Sequence, residues 1–91
     1  MRRSYRSKVR IYADIISSVL EQGEARVTAI MRDANLPYDR LQRYVDELCA
    51  KGLLTRRDAG GPLYSVTEKG SEFLTEFKKF ERISRAYGIH L

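Results

Sequence analysis

The stretch that most constrains this chain extends from Thr28 to Leu54, and it has the pattern of two helices joined by a tight turn. Thr28 is a residue type suited to cap the first of these helices. Pro37 interrupts the helical pattern, because the residue before a proline is displaced from the α region, and proline is tolerated at the first position of the next helix. Gly52 ends the second helix, where glycine supplies a left-handed conformation. The stretch therefore predicts a helix-turn-helix over residues 28–51.

A β-hairpin is predicted directly after this motif. Leu53–Arg57 and Leu63–Thr67 are strand-like runs on either side of Gly60-Gly61, which supplies the positive φ that a tight hairpin needs. Tyr64 shares one strand face with Val66, and both are expected to pack inward. A hairpin behind a helix-turn-helix is a wing, here at residues 53–67.

Two further helices are predicted, one before the helix-turn-helix and one after the wing. The first extends from about Ser7 to Gln22, and the next residues, Ala25–Val27, have the length of a brief strand. Thr67 opens the last helix, predicted over residues 68–87, which is roughly 30 Å long. The fold class is thus mainly α with a small β-hairpin (α+β): a winged helix-turn-helix domain at residues 7–67 and a long C-terminal dimerisation helix.

The last helix carries an apolar stripe longer than the first helix can cover. Part of the stripe is expected to overhang the domain and to pair with a second copy of the chain. The alternative is a stripe that folds back wholly onto the first helix. The predicted dimer interface consists of Phe73, Phe77, Phe80, Ile83 and Tyr87.

The net charge of +5 is concentrated at the start of the chain. The first ten residues contain five basic side chains and no acidic one, whereas bases and acids balance over the remainder. This predicts a basic N-terminal arm, residues 1–10, that binds an anionic partner, with nucleic acid favoured over a membrane. The alternatives are a solvated terminus and an organelle transit peptide. The basic residues of the arm are Arg2, Arg3, Arg6, Lys8 and Arg10.

The second helix of the motif has an apolar face and an opposite polar face. In a helix-turn-helix the N-terminal part of this helix enters the major groove, where Arg suits guanine and Gln suits adenine. Tyr38 is expected to pack toward the core rather than to read bases. The predicted DNA-binding residues of this helix are Asp39, Arg40, Gln42 and Arg43.

Affinity for phosphate must have another source, because bases and acids balance over residues 37–51. The arm is the first candidate, and Arg6, Lys8 and Arg10 are its most plausible phosphate or minor-groove contacts. The wing is the second candidate, through Arg56 and Arg57.

Short motifs follow one another in a specific order across most of residues 9–80. They are Glu24-Ala25-Arg26, Ala34-Asn35-Leu36 with Tyr38, Leu41, Tyr44-Val45 with Leu48, Lys51-Gly52-Leu53, and Tyr64 followed by Thr67-Glu68-Lys69-Gly70. In this order they resemble a family of small archaeal winged helix-turn-helix proteins, which includes ten-kilodalton chromatin-type DNA-binding proteins of Sulfolobus. The resemblance implies binding of double-stranded DNA and a homodimer whose C-terminal helices pair as an antiparallel coiled coil. The chain departs from the family at Pro37, where a serine-like cap is usual, and in its short last helix.

An enzyme is disfavoured. The single histidine, His90, is next to last, and the single cysteine, Cys49, is expected to be a small core residue, so no metal site is indicated within one chain. No Gly-rich phosphate loop follows a strand. No cofactor or small-molecule ligand is evident, and no apolar run has the length of a membrane span.

Three functions remain open. The first is a homodimeric transcriptional regulator that binds double-stranded DNA in the cytoplasm, associated with the nucleoid. The second is an architectural nucleoid or chromatin protein that tolerates any sequence. The third is a winged-helix protein-interaction module that does not bind DNA, since the fold alone does not decide function.

Overall fold

The structure, a computed structural model, describes residues 6–89, and this part of the chain forms four helices and one antiparallel two-stranded sheet. Arg2, Arg3 and His90 lie outside the described residues. The fold class predicted above, a winged helix-turn-helix followed by a long helix, is confirmed. The elements in chain order are α1 (Lys8–Gln22), α2 (Val27–Ala34), α3 (Tyr38–Ala50), β1 (Leu54–Asp58), β2 (Pro62–Val66) and α4 (Glu68–Ala86).

Side-chain caps set the starts of the two long helices. The Ser7 hydroxyl accepts a hydrogen bond from the Arg10 N–H at 3.1 Å, so α1 begins at the next residue, Lys8. The Thr67 hydroxyl accepts from the Gly70 N–H at 3.0 Å and caps α4 in the same way.

The helix-turn-helix begins before the predicted cap. Thr28 lies inside the first turn of α2, whose N-cap is Arg26, so the prediction that Thr28 caps this helix is wrong. The reason is a long-range contact: Ala25 is held extended against the wing, and the chain turns into a helix directly after it. Pro37 also stands one position earlier than predicted, as the extended N-cap of α3 with ψ at 158°.

The wing is a hairpin with a third backbone contact. β1 pairs with β2 so that Arg56 lies opposite Tyr64, and both strands are shifted by one residue from their predicted bounds. Ala25 and Tyr64 exchange two backbone hydrogen bonds, at 2.9 and 3.0 Å, so the predicted brief strand is a single bridge. Tyr64 is fully buried, as expected.

The helix α1 is the centre of the packing, and it contacts α2, α3, α4 and β2. Leu41, Val45 and Leu48 of α3 are fully buried against this core. Burial of one such side chain contributes about 1.5–3 kcal/mol, whereas a surface ion pair contributes about 0–1 kcal/mol. Apolar contacts therefore determine how α3 sits in the domain.

The helix α4 begins in the core and ends outside it. Gly70 passes so close to the backbone just before β1 that an added Cβ would lie 2.1 Å from the Leu53 carbonyl oxygen. Leu74 and Phe77 are buried, while the last two turns expose apolar side chains. No helix within residues 6–89 has the length and apolar character needed to cross a membrane.

Candidate nucleic-acid interface

The polar face of α3 presents three of the four predicted reading residues to solvent. Asp39, Arg40 and Arg43 are all exposed, and within residues 6–89 none of them forms an ion pair. The Arg43 guanidinium lies 5.7 Å from the centre of the Tyr44 ring, which orients it without offsetting its charge. The two arginines are three residues apart, so they lie on neighbouring turns of one helix face.

Gln42 lies at the edge of this face, and its amide is engaged in hydrogen bonds with other side chains of the domain. Its side chain is half-buried, and its amide donates to the Asp46 carboxylate at 3.0 Å and to the Tyr64 hydroxyl at 3.5 Å. The second contact links α3 to β2 of the wing. Reading adenine, as predicted for Gln42, would require the amide to leave both partners.

Tyr38 is a candidate contact residue that the sequence reasoning missed. Its side chain is 55% exposed, so the expectation that it packs toward the core is wrong. Side chains of a helix point toward its N-terminus, and at the first residue of α3 this direction leads past the helix end into solvent. The sequence signal for this exposure was the position of the aromatic residue directly after Pro37, at the start of the predicted helix. The phenol hydroxyl lies at the same end of α3 as Asp39 and Arg40.

The basic residues near the N-terminus are ion-paired. Arg6 contacts Asp14 at 2.8 Å, and Lys8 contacts Glu47 of α3 at 3.3 Å. The third pair joins Arg10 to Glu81 of α4 at 2.5 Å. Lys8 and Arg10 also belong to the first turn of α1, so the part of the predicted arm that the structure describes is folded against the domain.

The two wing arginines differ in their partners. Arg57 binds both carboxylate oxygens of Glu24, at 2.7 and 2.9 Å, in the bidentate geometry that favours such pairs. The hydrogen bond from Arg57 lowers the pKa of Glu24. Arg56 is exposed and has only a long contact, 3.5 Å, to Asp58 of the same strand. Arg56 is thus the wing arginine that can turn to a phosphate at little cost.

A second pair of contacts holds the wing tip. The Arg26 guanidinium donates to the carbonyl oxygens of Ala59 at 2.6 Å and Pro62 at 3.4 Å. Between α2 and this tip lies an open cleft of about 290 Å³, close to the lower limit of ligand pockets. The residues that line the cleft are Arg26, Val27, Thr28, Gly60, Gly61 and Pro62.

Two buried or half-buried networks fix α2 and α3 on α1. The Tyr12 hydroxyl donates to Glu47 of α3 at 2.5 Å, which lowers the pKa of Glu47, while burial and this bond raise the pKa of Tyr12. The buried Ser18 hydroxyl donates to Asp33 of α2 at 2.8 Å and lowers the pKa of Asp33. Both helices of the motif, α2 and α3, therefore accept a hydrogen bond from α1 through a carboxylate.

Residues 6–89 contain no cluster of metal-ligating side chains and a single, half-buried cysteine. In the described part of the chain, no three His, Cys, Asp or Glu side chains are close enough together to hold a metal ion. Cys49 is half-buried beside the core, and burial together with the charge of Asp46 raises the pKa of its thiol. The thiol is therefore protonated at neutral pH.

The predicted dimer residues divide into two groups. Phe77 is only 7% exposed, beneath Arg10, and Phe73 stacks on it at 6.5 Å, so these two pack in their own chain. Phe80, Ile83 and Tyr87 are exposed by 56%, 55% and 78%. The first part of the apolar stripe thus packs within its own domain, and the last part is exposed in the described residues.

Comparison with known proteins gives one family and a set of similar structures. A model of the winged helix-turn-helix family matches residues 5–85. The DNA-binding protein Sso10a-2 from Sulfolobus solfataricus is 25% identical, with a TM-score of 0.82 over 90% of this chain and 85% of that one. No curated protein matches the sequence.

Two bacterial regulators share the fold. BpsR from Bordetella bronchiseptica, whose DNA binding is regulated by 6-hydroxynicotinic acid, is 17% identical with a TM-score of 0.75 over 84% of this chain. The MarR family transcriptional regulator SPO1453 from Silicibacter pomeroyi is also 17% identical, with a TM-score of 0.70 over 85% of this chain. This chain spans 57% of each of those two proteins.

Proposed function

The chain belongs to the winged helix-turn-helix family, and from this premise we propose that it binds double-stranded DNA as a homodimer and regulates transcription. The observation that carries the proposal is the pair of exposed arginines, Arg40 and Arg43, which have no acidic partner in residues 6–89 and lie on the polar face of α3. The similarity to Sso10a-2, a DNA-binding protein, supports the same assignment. Binding to DNA implies a location in the cytoplasm with the nucleoid.

In the proposed complex the N-terminal half of α3 enters the major groove. Arg40 and Arg43 donate to guanine edges, and each bidentate contact of this kind discriminates between bases by about 1–3 kcal/mol. Asp39 accepts from cytosine, and the exposed Tyr38 hydroxyl donates to the neighbouring phosphate backbone. Gln42 keeps its contact with Tyr64 and contributes by orienting the wing.

Phosphate affinity in this proposal comes from the wing and the N-terminal segment. Arg56 is free enough to meet a phosphate, because its contact with Asp58 is long and exposed. Arg6 and Arg10 are held in half-buried ion pairs, whereas the exposed Lys8 makes a single contact with Glu47 at 3.3 Å. A surface pair of this kind is worth only about 0–1 kcal/mol, so a phosphate can displace Glu47 from Lys8 at little cost. Arg2 and Arg3 extend the same basic segment.

Dimerisation is proposed through the end of α4. Phe80, Ile83 and Tyr87 follow the three- and four-residue spacing of a helix seam, and their exposure leaves apolar area for a second copy. The seam is short: Gly88 has a φ of 72°, and the Ile89 N–H donates to the Ser84 carbonyl at 2.7 Å, which together end the helix. Two antiparallel copies of α4 would overlap over about two turns.

The position of Gln42 favours a second candidate, an architectural protein that coats DNA with little sequence preference. With Gln42 held by Asp46 and Tyr64, fewer side chains are available to distinguish bases. Such a protein relies on phosphate contacts, so its affinity is similar for any duplex and falls steeply with salt.

Fluorescence anisotropy with random and genomic duplexes across a salt series separates these functions. The regulator binds its operator at least about a thousandfold more tightly than random duplex. The architectural protein binds both alike. Absence of binding at low salt would overturn both and favour a protein-interaction module.

A further inference from the structure

Three consecutive residues between α1 and α2 each hold a different part of the wing, and we call Glu24–Arg26 the wing clamp. Glu24 binds Arg57 at the end of β1, through both carboxylate oxygens. Ala25 pairs through its backbone with Tyr64 in the middle of β2. Arg26 extends to the tip and donates to the carbonyl oxygens on both sides of the turn. The clamp therefore contacts the hairpin in the middle of β2, near the turn end of β1 and at the tip.

We infer that Glu24, Arg26 and Arg57 are positioning residues, which hold the wing in the place it needs for DNA and do not themselves bind phosphate. The inference rests on the proposed DNA binding and names the residues that position the wing for it. It reassigns Arg57, because sequence reasoning placed that residue among the DNA contacts. Glu24 and Arg26 entered that reasoning only as part of a family motif.

The wing needs such support because little else holds it. A two-stranded hairpin is marginally stable in water by itself. Of the five residues of β1, only Leu54 is buried. Apolar packing therefore holds the base of the hairpin, and the exposed end depends on Arg26 of the clamp and on the bond between Glu24 and Arg57.

The clamp also fixes the wing relative to the reading helix. Tyr64, which exchanges two backbone hydrogen bonds with Ala25, is fully buried, and its hydroxyl accepts from Gln42 of α3. One chain of contacts thus connects the clamp, β2 and α3. A protein that holds its two DNA-contacting parts at a set separation loses less conformational entropy on binding.

The geometry of Arg57 argues against a direct phosphate contact. A guanidinium binds a phosphate through the same fork of parallel N–H groups that it presents to a carboxylate. In Arg57 that fork is occupied, with Nε at 2.7 Å and Nη2 at 2.9 Å from Glu24. The bond donated by Arg57 also keeps Glu24 ionised, as the lowered pKa of that carboxyl shows.

Substitution of Glu24 by alanine tests the inference through the direction in which the DNA affinity changes. The change removes a negative charge, so electrostatic attraction alone predicts tighter DNA binding. The clamp predicts weaker binding, by about threefold to tenfold, because the wing loses its position. The matched control is Glu21→Ala, which removes the same charge from an exposed residue that has no ion pair or side-chain hydrogen bond in residues 6–89. Binding by Glu24→Ala as tight as by Glu21→Ala would overturn the inference.

The salt dependence of Arg57→Gln gives a second readout. If Arg57 bound a phosphate, its loss would reduce the slope of log affinity against log salt by about one. A positioning residue lowers the affinity and leaves the slope unchanged. A reduced slope would therefore overturn the assignment. The charge-reversed pair Glu24→Arg with Arg57→Glu should recover the affinity that either single change loses.

Hydrogen exchange in the free protein tests the clamp without DNA. The Ala59 amide at the wing tip donates to the Gly61 carbonyl at 2.8 Å. It should exchange faster in Glu24→Ala and in Arg26→Ala than in Glu21→Ala, while buried amides of α1 keep their protection and report that the domain is folded. Unchanged exchange would overturn the clamp. If the wild-type protein bound no duplex, the proposed function would fail, and exchange would still decide whether the clamp holds the wing.

Discussion

Ion pairing redistributes the uncompensated positive charge of this chain. The net charge stays at +5, but Arg6, Lys8 and Arg10 are offset by acids from three different helices. The bases that keep no acidic partner in the described residues include Arg40 and Arg43 of α3. The polar face of α3 is therefore more electropositive than the composition of the helix suggested, because the charge of Glu47, one of its acids, is offset by the ion pair with Lys8.

Replacement of Arg40 or Arg43 by glutamine should weaken binding to the preferred sequence by about 1–3 kcal/mol. The reason is the loss of a bidentate base contact, so affinity for random duplex should fall much less. Anisotropy titrations on both duplexes measure the difference. Arg82→Gln, an exposed substitution of equal charge on α4, is the control. Equal losses on both duplexes would reassign the two arginines to phosphate.

Tyr12→Phe should destabilise the domain at neutral pH and have less effect in acid. The Tyr12 hydrogen bond lowers the pKa of Glu47 in the folded state. A lowered carboxyl pKa contributes stability that is fully present above the pKa of an unfolded glutamate, about 4.3, and is lost as the pH falls through the folded value. Urea unfolding of both proteins at neutral pH and near pH 3 measures this. A difference in unfolding free energy that stays constant with pH would contradict it.

At the scale of elements, local signals were sufficient for the long helices. Ser7 and Thr67 cap the helices that they were expected to open, within one residue, because a cap involves only the next turn. The order of the motifs likewise predicted the winged helix-turn-helix family, which is confirmed. Elements that depend on distant partners were less predictable. The start of α2 follows from the pairing of Ala25 with Tyr64, which no local pattern reveals.

The candidate interface was predictable in part for the same reason. Helical periodicity alone gave the exposed faces of Arg40 and Arg43. The half-buried position of Gln42 requires knowledge that Tyr64 of β2 lies beside it. The bidentate bond between Arg57 and Glu24 joins residues 33 positions apart. Periodicity assigns a residue to a face of its own element, and only tertiary packing supplies its partners.

Gly70→Ala tests the junction between the wing and α4. In an exposed helix this change stabilises by roughly 0.5–1 kcal/mol. Here the added Cβ would lie 2.1 Å from the Leu53 carbonyl oxygen, so we expect a loss of about 1–3 kcal/mol as α4 is pushed away from the segment that leads into β1. Chemical denaturation measures the change, and Glu72→Ala, two residues further along the same helix and exposed, is the control. A Gly70→Ala protein that is more stable than the wild type would show that the backbone at this junction shifts at little cost in free energy.

At the scale of the whole molecule, the end of α4 exposes the apolar side chains of Phe80, Ile83 and Tyr87. The described residues extend over 46 × 35 × 21 Å, and the exposed end of α4 carries apolar side chains that no other part of residues 6–89 covers. Dimeric helix-turn-helix proteins place two reading helices about 34 Å apart, one turn of DNA. Pairing through α4 would cover the apolar end and supply the second reading helix at once.

Substitution of Ile83 by glutamate should therefore separate the dimer and weaken DNA binding together. Sedimentation should give the wild-type protein twice its chain mass of 10.5 kDa and the variant a single chain mass. Binding through two reading helices typically raises affinity by a factor of about 100 or more over binding through one. The monomeric variant has a single reading helix, so its affinity for DNA should fall by that factor. Lys78→Glu, exposed on the opposite side of α4, adds acidic charge without touching the seam and should leave the dimer intact. A wild-type protein that sediments as a single chain would refute pairing through α4, and a dimeric Ile83→Glu would move the interface elsewhere. Tight binding by a monomeric variant would show instead that one winged helix suffices, because the contacts of α3 and the wing would then carry the affinity without a partner.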